Sequence, residues 1–216
     1  MKVSCTYYMK LKFIKSLIFV FSINCVYALD EQRTLLIFGD SISAGYGMSK
    51  EKQWSVLLQE KFNKENLKIK VINSSISGET TGGGLVRLEG IINQYKPSYV
   101  LLELGGNDAL RGYPPKKIYS NLVEMISISE ISNANIFLMQ IKIPPNYGSR
   151  YQKAFESIYP RVAETTSAIL IPFMLEEVAL NADLMLPDGI HPKESAQPLI
   201  ADFIYLQLKP LLIESN

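Results

Sequence analysis

The chain has 216 residues, enough for one domain with a sizeable buried core, and its 22 basic and 21 acidic side chains give a formal charge of +1. This balance excludes the strongly basic surface of a nucleic-acid-binding protein and leaves no charged tail for an oppositely charged partner. We therefore expect a small or uncharged substrate and no nucleic-acid partner. The chain is expected to be a monomer, although nothing in the sequence fixes its oligomeric state.

The N-terminus differs from the rest of the chain because basic residues without any acid precede the apolar stretch 16–28. The basic residues are Lys2, Lys10, Lys12 and Lys15. Residues 1–28 are predicted to be a secretory signal peptide that is cut after Ala28, and residues 29–216 to be an exported domain, periplasmic or secreted. The apolar stretch is shorter than the ~20 residues of a membrane span, so no stable membrane insertion is expected after cleavage.

Three alternatives stay open at this end of the chain. Met9 could be the true start, and the apolar stretch could remain as an uncleaved anchor. Cys25 could accept a lipid, although Asn24 before it does not match the small residue that lipoprotein processing expects. Both cysteines, Cys5 and Cys25, lie inside the predicted signal, so the exported domain would contain no thiol.

Beyond this leader, apolar runs bounded by turn residues alternate with amphipathic segments, which predicts an α/β domain with a parallel sheet covered by helices on both faces. The predicted strands are 34–39, 68–73, 98–104, 135–141 and 168–171. The predicted helices present apolar faces made by Trp54, Leu57, Leu58 and Phe62, by Leu85, Leu88, Ile91 and Ile92, by Ile118, Leu122, Met125 and Ile126, by Phe155, Ile158 and Val162, and by Ala196, Leu199, Ile200, Phe203 and Leu206. Pro97, Pro114 and Pro144 mark boundaries between elements. No linker, repeat or low-complexity tract divides the chain, so one compact domain is expected.

In a parallel sheet of this kind the loops that leave the carboxyl ends of the strands meet at one edge, where ligands bind. Three such loops, 40–43, 74–80 and 105–108, carry polar residues. The segment 188–191, just before the last helix, can reach the same edge. The sequence therefore predicts a site assembled from four separate parts of the chain.

The chain contains a single histidine, His191, and neutral imidazole is the side chain suited to exchanging protons near pH 7. Ser41 follows the first predicted strand, and Asp188 stands three residues before His191. A serine nucleophile needs a base, and the base needs an orienting group, so we predict the triad Ser41, His191 and Asp188. We expect activity to rise between pH 5 and 8 as His191 loses its proton.

Donors for a developing oxyanion are expected from the backbone N–H groups of Ser41 and Gly78 and from the side-chain amide of Asn107. Each signal alone has a plain structural explanation. Ser41 could be a helix N-cap, Gly78 a turn residue, Asn107 part of another turn, and the Asp188–His191 spacing a loop or cap. Their order and location favour a catalytic site.

Four short blocks carry these residues. They are Gly39-Asp40-Ser41-Ile42, Gly78, Gly105-Gly106-Asn107-Asp108 and Asp188-Gly189-Ile190-His191. In order and spacing the blocks resemble those of the SGNH (GDSL-type) hydrolases, and the resemblance extends over about residues 30–212. Ile42 stands where the family name has leucine, a conservative change in a side chain without a chemical role.

The resemblance implies a flavodoxin-like three-layer α/β/α sandwich with strand order 2-1-3-4-5, the SGNH hydrolase fold. It implies hydrolysis of carboxylic ester or thioester bonds in acyl substrates such as lysophospholipids, acyl thioesters and aryl esters, through an acyl-enzyme and with neither metal nor organic cofactor. In that family Ser41 would be the nucleophile and first oxyanion donor, Gly78 and Asn107 the other donors, His191 the base and Asp188 its partner.

Loop residues near the same edge are candidates for an apolar acyl groove, with ordinary loop packing as the alternative. These substrate-binding candidates are Leu110, Tyr147 and Leu186, together with Ile143 and Pro144. The run Gly82-Gly83-Gly84 lacks the Lys-Ser or Lys-Thr of a phosphate-binding loop, and we interpret it as a flexible entry to the second helix.

Other functions remain open. A carbohydrate O-deacetylase on the same fold would need the same catalytic groups. An α/β-hydrolase esterase normally needs Gly-x-Ser-x-Gly, and Ser43 occupies the last glycine position. A non-catalytic secreted binding protein is a further alternative, whereas one histidine is too few for the usual nitrogen-rich zinc site.

Overall fold

A computed structural model of the protein describes residues 32–214, so the predicted signal peptide lies outside the described residues. The strands are β1 (Arg33–Gly39), β2 (Ile69–Asn73), β3 (Tyr99–Glu103), β4 (Asn135–Met139) and β5 (Ile169–Ile171). The helices are α1 (Ser41–Ala44), α2 (Trp54–Lys64), α3 (Thr81–Tyr95), α4 (Gly106–Leu110), α5 (Pro115–Ile131), α6 (Ser149–Glu156), α7 (Ile158–Thr165) and α8 (Gln197–Glu214).

Within residues 32–214, five parallel strands form one sheet in the order β2-β1-β3-β4-β5, as expected. The side chains of β1 from Leu35 to Phe38 are fully buried, and every residue of β3 is buried. A parallel sheet buries both faces under helices, which is why these strands are continuous apolar runs without alternation. The expected α/β architecture is confirmed.

Helices cover the sheet in two groups. On one side α2 packs against α8, and on the other α3 packs against α5, which also contacts α7. In α2 the fully buried residues Trp54, Leu58 and Phe62 recur every four positions and form the face that meets the core. Across the described part of the chain, no helix is long and apolar enough to cross a membrane.

The core face expected for the last helix is partly wrong. Leu199 and Leu206 are exposed by 50% and 67%, whereas Ile200, Ile204 and Leu208 are fully buried at a spacing of four residues. Apolar residues occur on every side of α8. The periodicity therefore could not identify which stripe meets the core.

The triple glycine is helical and does not form a flexible entry. Thr80 caps α3, its side-chain oxygen accepting the backbone N–H of Gly83 at 3.1 Å. Gly84 lies against the core, where an added Cβ would stand 2.6 Å from a methyl of Leu104 and 3.1 Å from the ring of Phe38. Close helix-to-sheet packing therefore explains this glycine.

Candidate active site

Ser41 is the first residue of α1, directly after β1. Asp40 caps this helix, because its Oδ1 accepts the backbone N–H of Ile42 at 3.1 Å. The interpretation of Ser41 as an ordinary N-cap is therefore wrong. Since Asp40 takes that role, the Ser41 hydroxyl does not cap the helix and makes its hydrogen bond elsewhere.

The Ser41 hydroxyl meets the single histidine. Nε2 of His191 lies 2.9 Å from Oγ of Ser41, and Nδ1 of His191 lies 2.8 Å from Oδ2 of Asp188. The other carboxylate oxygen of Asp188 accepts the backbone N–H groups of Ile190 at 2.9 Å and of His191 at 3.0 Å. The structure thus brings the three predicted triad residues into one chain of hydrogen bonds.

The charge on Asp188 fixes the roles of the two ring nitrogens. Burial opposes ionisation, but hydrogen bonds from the backbone and ring of His191 and from the Ile190 amide outweigh it and lower the pKa of Asp188 to about 2. An ionised carboxylate can only accept hydrogen bonds, so Nδ1 carries the ring proton. Nε2 is therefore left as the acceptor for the serine hydroxyl.

A short antiparallel contact holds the histidine segment in place. The backbone N–H of Leu186 donates to the carbonyl of His191 at 2.7 Å, and the N–H of Lys193 donates to the carbonyl of Leu184 at 2.7 Å. Met185 and Pro192 pair across this contact. The loop is therefore fixed by backbone bonds on both sides of the imidazole.

Tyr46 is a site residue that sequence reasoning missed. Its ring centroid lies 4.3 Å from that of His191, with the two planes tilted by 32°. The tyrosine is half exposed and follows Gly45, which ends α1 in a left-handed conformation with φ of +71°. The ring therefore forms a wall that limits the movement of the imidazole, and no motif in the sequence predicted it.

Of the predicted oxyanion donors, Ser41 lies at the start of α1, Asn107 lies in α4, and Gly78 lies in the loop before α3. The side-chain amide of Asn107 donates one N–H to Oδ2 of Asp40 at 3.1 Å, and a primary amide has a second N–H to offer. Gly78 has a φ of +81°, which glycine adopts without strain, and its carbonyl accepts a hydrogen bond from Arg111 at 3.2 Å. Polar contacts therefore set the orientation of both the Asn107 side chain and the Gly78 loop.

Asp108, the residue after Asn107 in α4, is hydrogen-bonded to the first residue of α3. Its carboxylate accepts the backbone N–H of Thr81 at 2.8 Å and the hydroxyl of the same residue at 2.6 Å. Asn121 of α5 in turn donates to the Thr81 hydroxyl at 2.9 Å. Burial raises the pKa of Asp108, against the hydrogen bonds from Thr81. The fourth residue of the Gly-Gly-Asn-Asp block therefore serves as a structural link between α3 and α4.

A second pair of carboxyl groups, Asp40 and Glu103, lies behind the nucleophile. Their exposed fractions are 4% and 2%. Oε2 of Glu103 accepts the hydroxyl of Ser43 at 2.7 Å and the backbone N–H of Asp40 at 3.4 Å. Glu103 ends an apolar strand, and the sequence reading gave it no role.

A cavity of about 460 Å³ opens beside the triad, within the usual range for small-ligand sites. Its apolar walls include Leu110, Ile143, Pro144, Phe173, Leu175 and Leu180. Leu110, Ile143 and Pro144 were anticipated from the sequence. The wall made by the segment 173–180 was missed, although an apolar run directly after the last strand was visible.

Two predicted substrate-binding residues lie elsewhere. Tyr147 lines a separate shallow groove with Pro115 and Tyr151. Leu186 contributes its backbone N–H to the histidine segment, and its side chain lies near Gly47. In both cases the loop lies at the predicted edge of the sheet. The spacing of residues along the chain does not determine the direction in which the side chain points.

The chemistry available here is nucleophilic acyl transfer, because a serine, an imidazole and a carboxylate are linked in that order. Within residues 32–214, no three His, Cys, Asp or Glu side chains come together in a group that could hold a metal ion.

Comparison with known proteins points to one family. Residues 37–197 match the GDSL-like Lipase/Acylhydrolase family. An arylesterase of Vibrio mimicus is 48% identical over 193 residues, which cover 89% of this chain and 96% of the relative. The thioesterase 1/protease 1/lysophospholipase L1 of Escherichia coli K12 is 45% identical over 194 residues, which cover 90% of this chain and 92% of the relative.

A solved structure agrees with these sequence relatives. The psychrotrophic esterase EstA from Pseudoalteromonas sp., in a crystal structure inhibited by monoethylphosphonate, has a TM-score of 0.82 and 48% sequence identity. The match covers 84% of this chain and 99% of that one. The chain belongs to the GDSL-like lipase/acylhydrolase family, and the expected SGNH resemblance is confirmed.

Proposed function

We propose that the protein is a serine hydrolase that cleaves carboxylic ester and thioester bonds of acyl substrates. The observation that carries this proposal is the continuous chain of hydrogen bonds from Ser41 through His191 to Asp188, with distances of 2.9 and 2.8 Å. Relatives named arylesterase and thioesterase 1/protease 1/lysophospholipase L1 support the same substrate classes.

The reaction proceeds in two acyl transfers. Oγ of Ser41 attacks the carbonyl carbon while its proton passes to Nε2 of His191, and the carbonyl oxygen becomes an oxyanion. As the intermediate collapses, the bond to the leaving alcohol or thiol breaks and His191 returns the proton to it. Water then attacks the acyl-serine by the same route, which releases the carboxylic acid and restores the Ser41 hydroxyl.

Asp188 keeps its charge throughout the cycle. Its ionised carboxylate stabilises the imidazolium that forms each time His191 takes a proton. We assign oxyanion binding to the backbone N–H groups of Ser41 and Gly78 and to the free amide N–H of Asn107. Each donor of this kind is worth about 10²- to 10³-fold in rate.

The acyl chain occupies the apolar cavity with Leu110 on its wall. A cavity of about 460 Å³ is much larger than an acetyl group needs, and its lining is mainly apolar. This favours a longer acyl chain over the acetyl group of a carbohydrate O-deacetylase, because burial of methylene groups contributes to binding at about 0.8 kcal/mol each.

A series of p-nitrophenyl esters from acetyl to palmitoyl tests this function. We expect kcat/KM to rise from acetyl to a medium or long chain, and we expect Ser41→Ala to lose at least about 10³-fold activity on every ester. Ser157→Ala serves as a matched control, because this exposed serine between α6 and α7 donates its hydroxyl only to the local carbonyl of Ala154, and its loss should leave rates unchanged. Equal hydrolysis by wild type and Ser41→Ala would refute the assignment.

We also propose that residues 1–28 direct export and are then removed, leaving a monomer in the periplasm or medium. The basic start and the apolar stretch that follows support this. The intact mass of the exported protein tests it, with loss of residues 1–28 expected. Retention of the full 216-residue mass in that fraction would contradict the proposal.

A further inference from the structure

The buried carboxyl groups of Asp40 and Glu103 lie at the carboxyl ends of β1 and β3, the two neighbouring strands between which the strand order reverses. Gly39, just before Asp40, is the register partner of Glu103 at the carboxyl ends of β1 and β3. An added Cβ at Gly39 would lie 2.5 Å from Oε2 of Glu103, so the strand end is shaped to admit that carboxyl group. Both carboxyl groups line the cavity beside Ser41.

Simultaneous ionisation of Asp40 and Glu103 would be energetically unfavourable, because both carboxyl groups are buried. Among the described residues, neither Asp40 nor Glu103 forms an ion pair with a lysine or arginine. An unpaired buried carboxylate is strongly disfavoured, and two neighbouring carboxyl groups avoid carrying two charges when one of them stays protonated. The other charged groups that act on Asp40 are His191, which favours its ionisation, and Asp108, which opposes it.

Hydrogen-bond donors reach both carboxyl groups, but those to Glu103, the Ser43 hydroxyl and the Asp40 N–H, both meet its Oε2. Both oxygens of Asp40 accept hydrogen bonds, Oδ1 from the Ile42 backbone and Oδ2 from the Asn107 amide. Burial raises the pKa of Asp40 only to about 6, because these donors oppose the shift. Burial and the charge of Asp40 raise the pKa of Glu103 well above its ordinary value. The donors on both oxygens of Asp40, together with the deep burial of Glu103, therefore favour a proton on Glu103 at neutral pH.

This deepens the proposed function and rests on it. We infer that Asp40 and Glu103 form a positioning pair in which protonated Glu103 allows buried Asp40 to stay ionised, so that Asp40 holds the Asn107 amide ready for the oxyanion. The pair acts through Asn107, without contact to the reacting atoms. An amide fixed in advance needs no reorganisation when negative charge develops on the substrate.

The first test compares three variants on one good ester substrate. In Asp40→Asn a single side-chain oxygen replaces two acceptors, so we expect kcat to fall about 10²-fold while KM changes less than about threefold. Glu103→Ala should lower kcat in the same manner. Glu103→Gln keeps an oxygen for Ser43 and remains neutral, so it should recover most of the rate lost in Glu103→Ala.

The pH profile separates this role from simple support of the fold. Because wild-type Glu103 is already neutral, Glu103→Gln should leave the acidic midpoint of kcat within about 0.3 pH unit of wild type. If Glu103 were ionised, removal of its charge would move that midpoint down by about one unit or more. Such a shift, or a wild-type rate in Asp40→Asn, would overturn the inference.

An infrared measurement tests the proton without relying on turnover. At pH 7.5 the wild-type protein should show the carbonyl stretch of a buried protonated carboxyl group, and this band should be missing from Glu103→Gln. Absence of the band from wild type would overturn the inference even if ester hydrolysis is confirmed. Conversely, the band can be present in a protein that hydrolyses no ester, so failure of the proposed function is recognised separately.

Discussion

Nε2 of His191 lies 2.9 Å from Oγ of Ser41, although 150 positions of sequence separate the two residues. The contact exists because Ser41 directly follows β1 at the carboxyl edge of the sheet, and the loop before α8 lies at the same edge. A site assembled in this way depends on each loop being held by its own local bonds.

Asp188→Asn should lower kcat about 10³- to 10⁴-fold. An asparagine amide can donate to Nδ1, and the ring proton then moves to Nε2. A protonated Nε2 cannot accept the hydrogen bond of the Ser41 hydroxyl. Steady-state kinetics on a p-nitrophenyl ester measure this. Asp183→Asn is the matched control, because this exposed carboxylate of the same segment makes no side-chain contact with the triad, and an equal loss in both variants would count against the assigned role.

Tyr46→Ala should lower kcat about fivefold and leave the fold intact. Aromatic contacts of this kind contribute about 1 kcal/mol, and without the ring the imidazole of His191 is free to turn away from Ser41. Tyr46→Phe keeps the ring and should retain the wild-type rate. If the two variants were equally impaired, the hydroxyl rather than the ring would be the important group.

Alanine substitutions at two glycines of α3 should change the free energy of unfolding in opposite directions. Gly84→Ala should destabilise the protein by about 1–3 kcal/mol, because its Cβ meets Leu104 and Phe38 in a filled core. Gly90→Ala has nothing within 4 Å of the new methyl group and should stabilise by about 0.5–1 kcal/mol. Urea unfolding of both variants measures the difference. Equal changes of the same sign would contradict the packing described here.

The free energy of unfolding should depend on pH in an unusual direction. The pKa of Asp40 is raised on folding from 3.8 to about 6, so between these values the folded chain binds more protons than the unfolded chain. Stability therefore falls as pH rises through this window, by about 3 kcal/mol for Asp40 alone at about 1.36 kcal/mol per unit. Glu103 acts in the same direction.

Asp188 has the opposite sign, because its pKa is lowered on folding, and its contribution is lost only as pH falls from about 4 through 2. Urea unfolding at pH 5 and pH 8 should therefore show wild type losing more stability than Asp40→Asn as the pH rises. A larger loss in Asp40→Asn than in wild type would be the contrary result.

Sequence reasoning succeeded where chemistry or periodicity left few choices. A single histidine limited the base to His191, and Asp188 three residues earlier is within reach in any tight turn. The continuous apolar runs of β1 and β3 identified buried parallel strands, since no exposed strand has that composition. These features depend on residues that are close together in the chain, and such relationships can be recognised in a single sequence.

The features that sequence reasoning missed depend on the direction in which side chains point in the folded protein. Glu103 stands at the end of an apolar run, and nothing beside it in the chain shows that it lies next to Asp40 at the end of the neighbouring strand. Tyr46 reaches His191 only because of the left-handed turn at Gly45. Tyr147 was placed in the correct region but lines another groove. Side-chain orientation is set by packing between distant elements, which spacing along the chain does not specify.

Covalent labelling by a fluorophosphonate tests whether Ser41 is the activated nucleophile, because the reagent forms a bond to an activated serine oxygen as fluoride leaves. We expect one adduct for each chain, on the peptide that contains Ser41, and we expect slow labelling in Asp188→Asn and none in Ser41→Ala. Labelling of Ser41→Ala at the wild-type rate, or an adduct on another peptide of the wild-type protein, would contradict the assignment of Ser41 as the nucleophile.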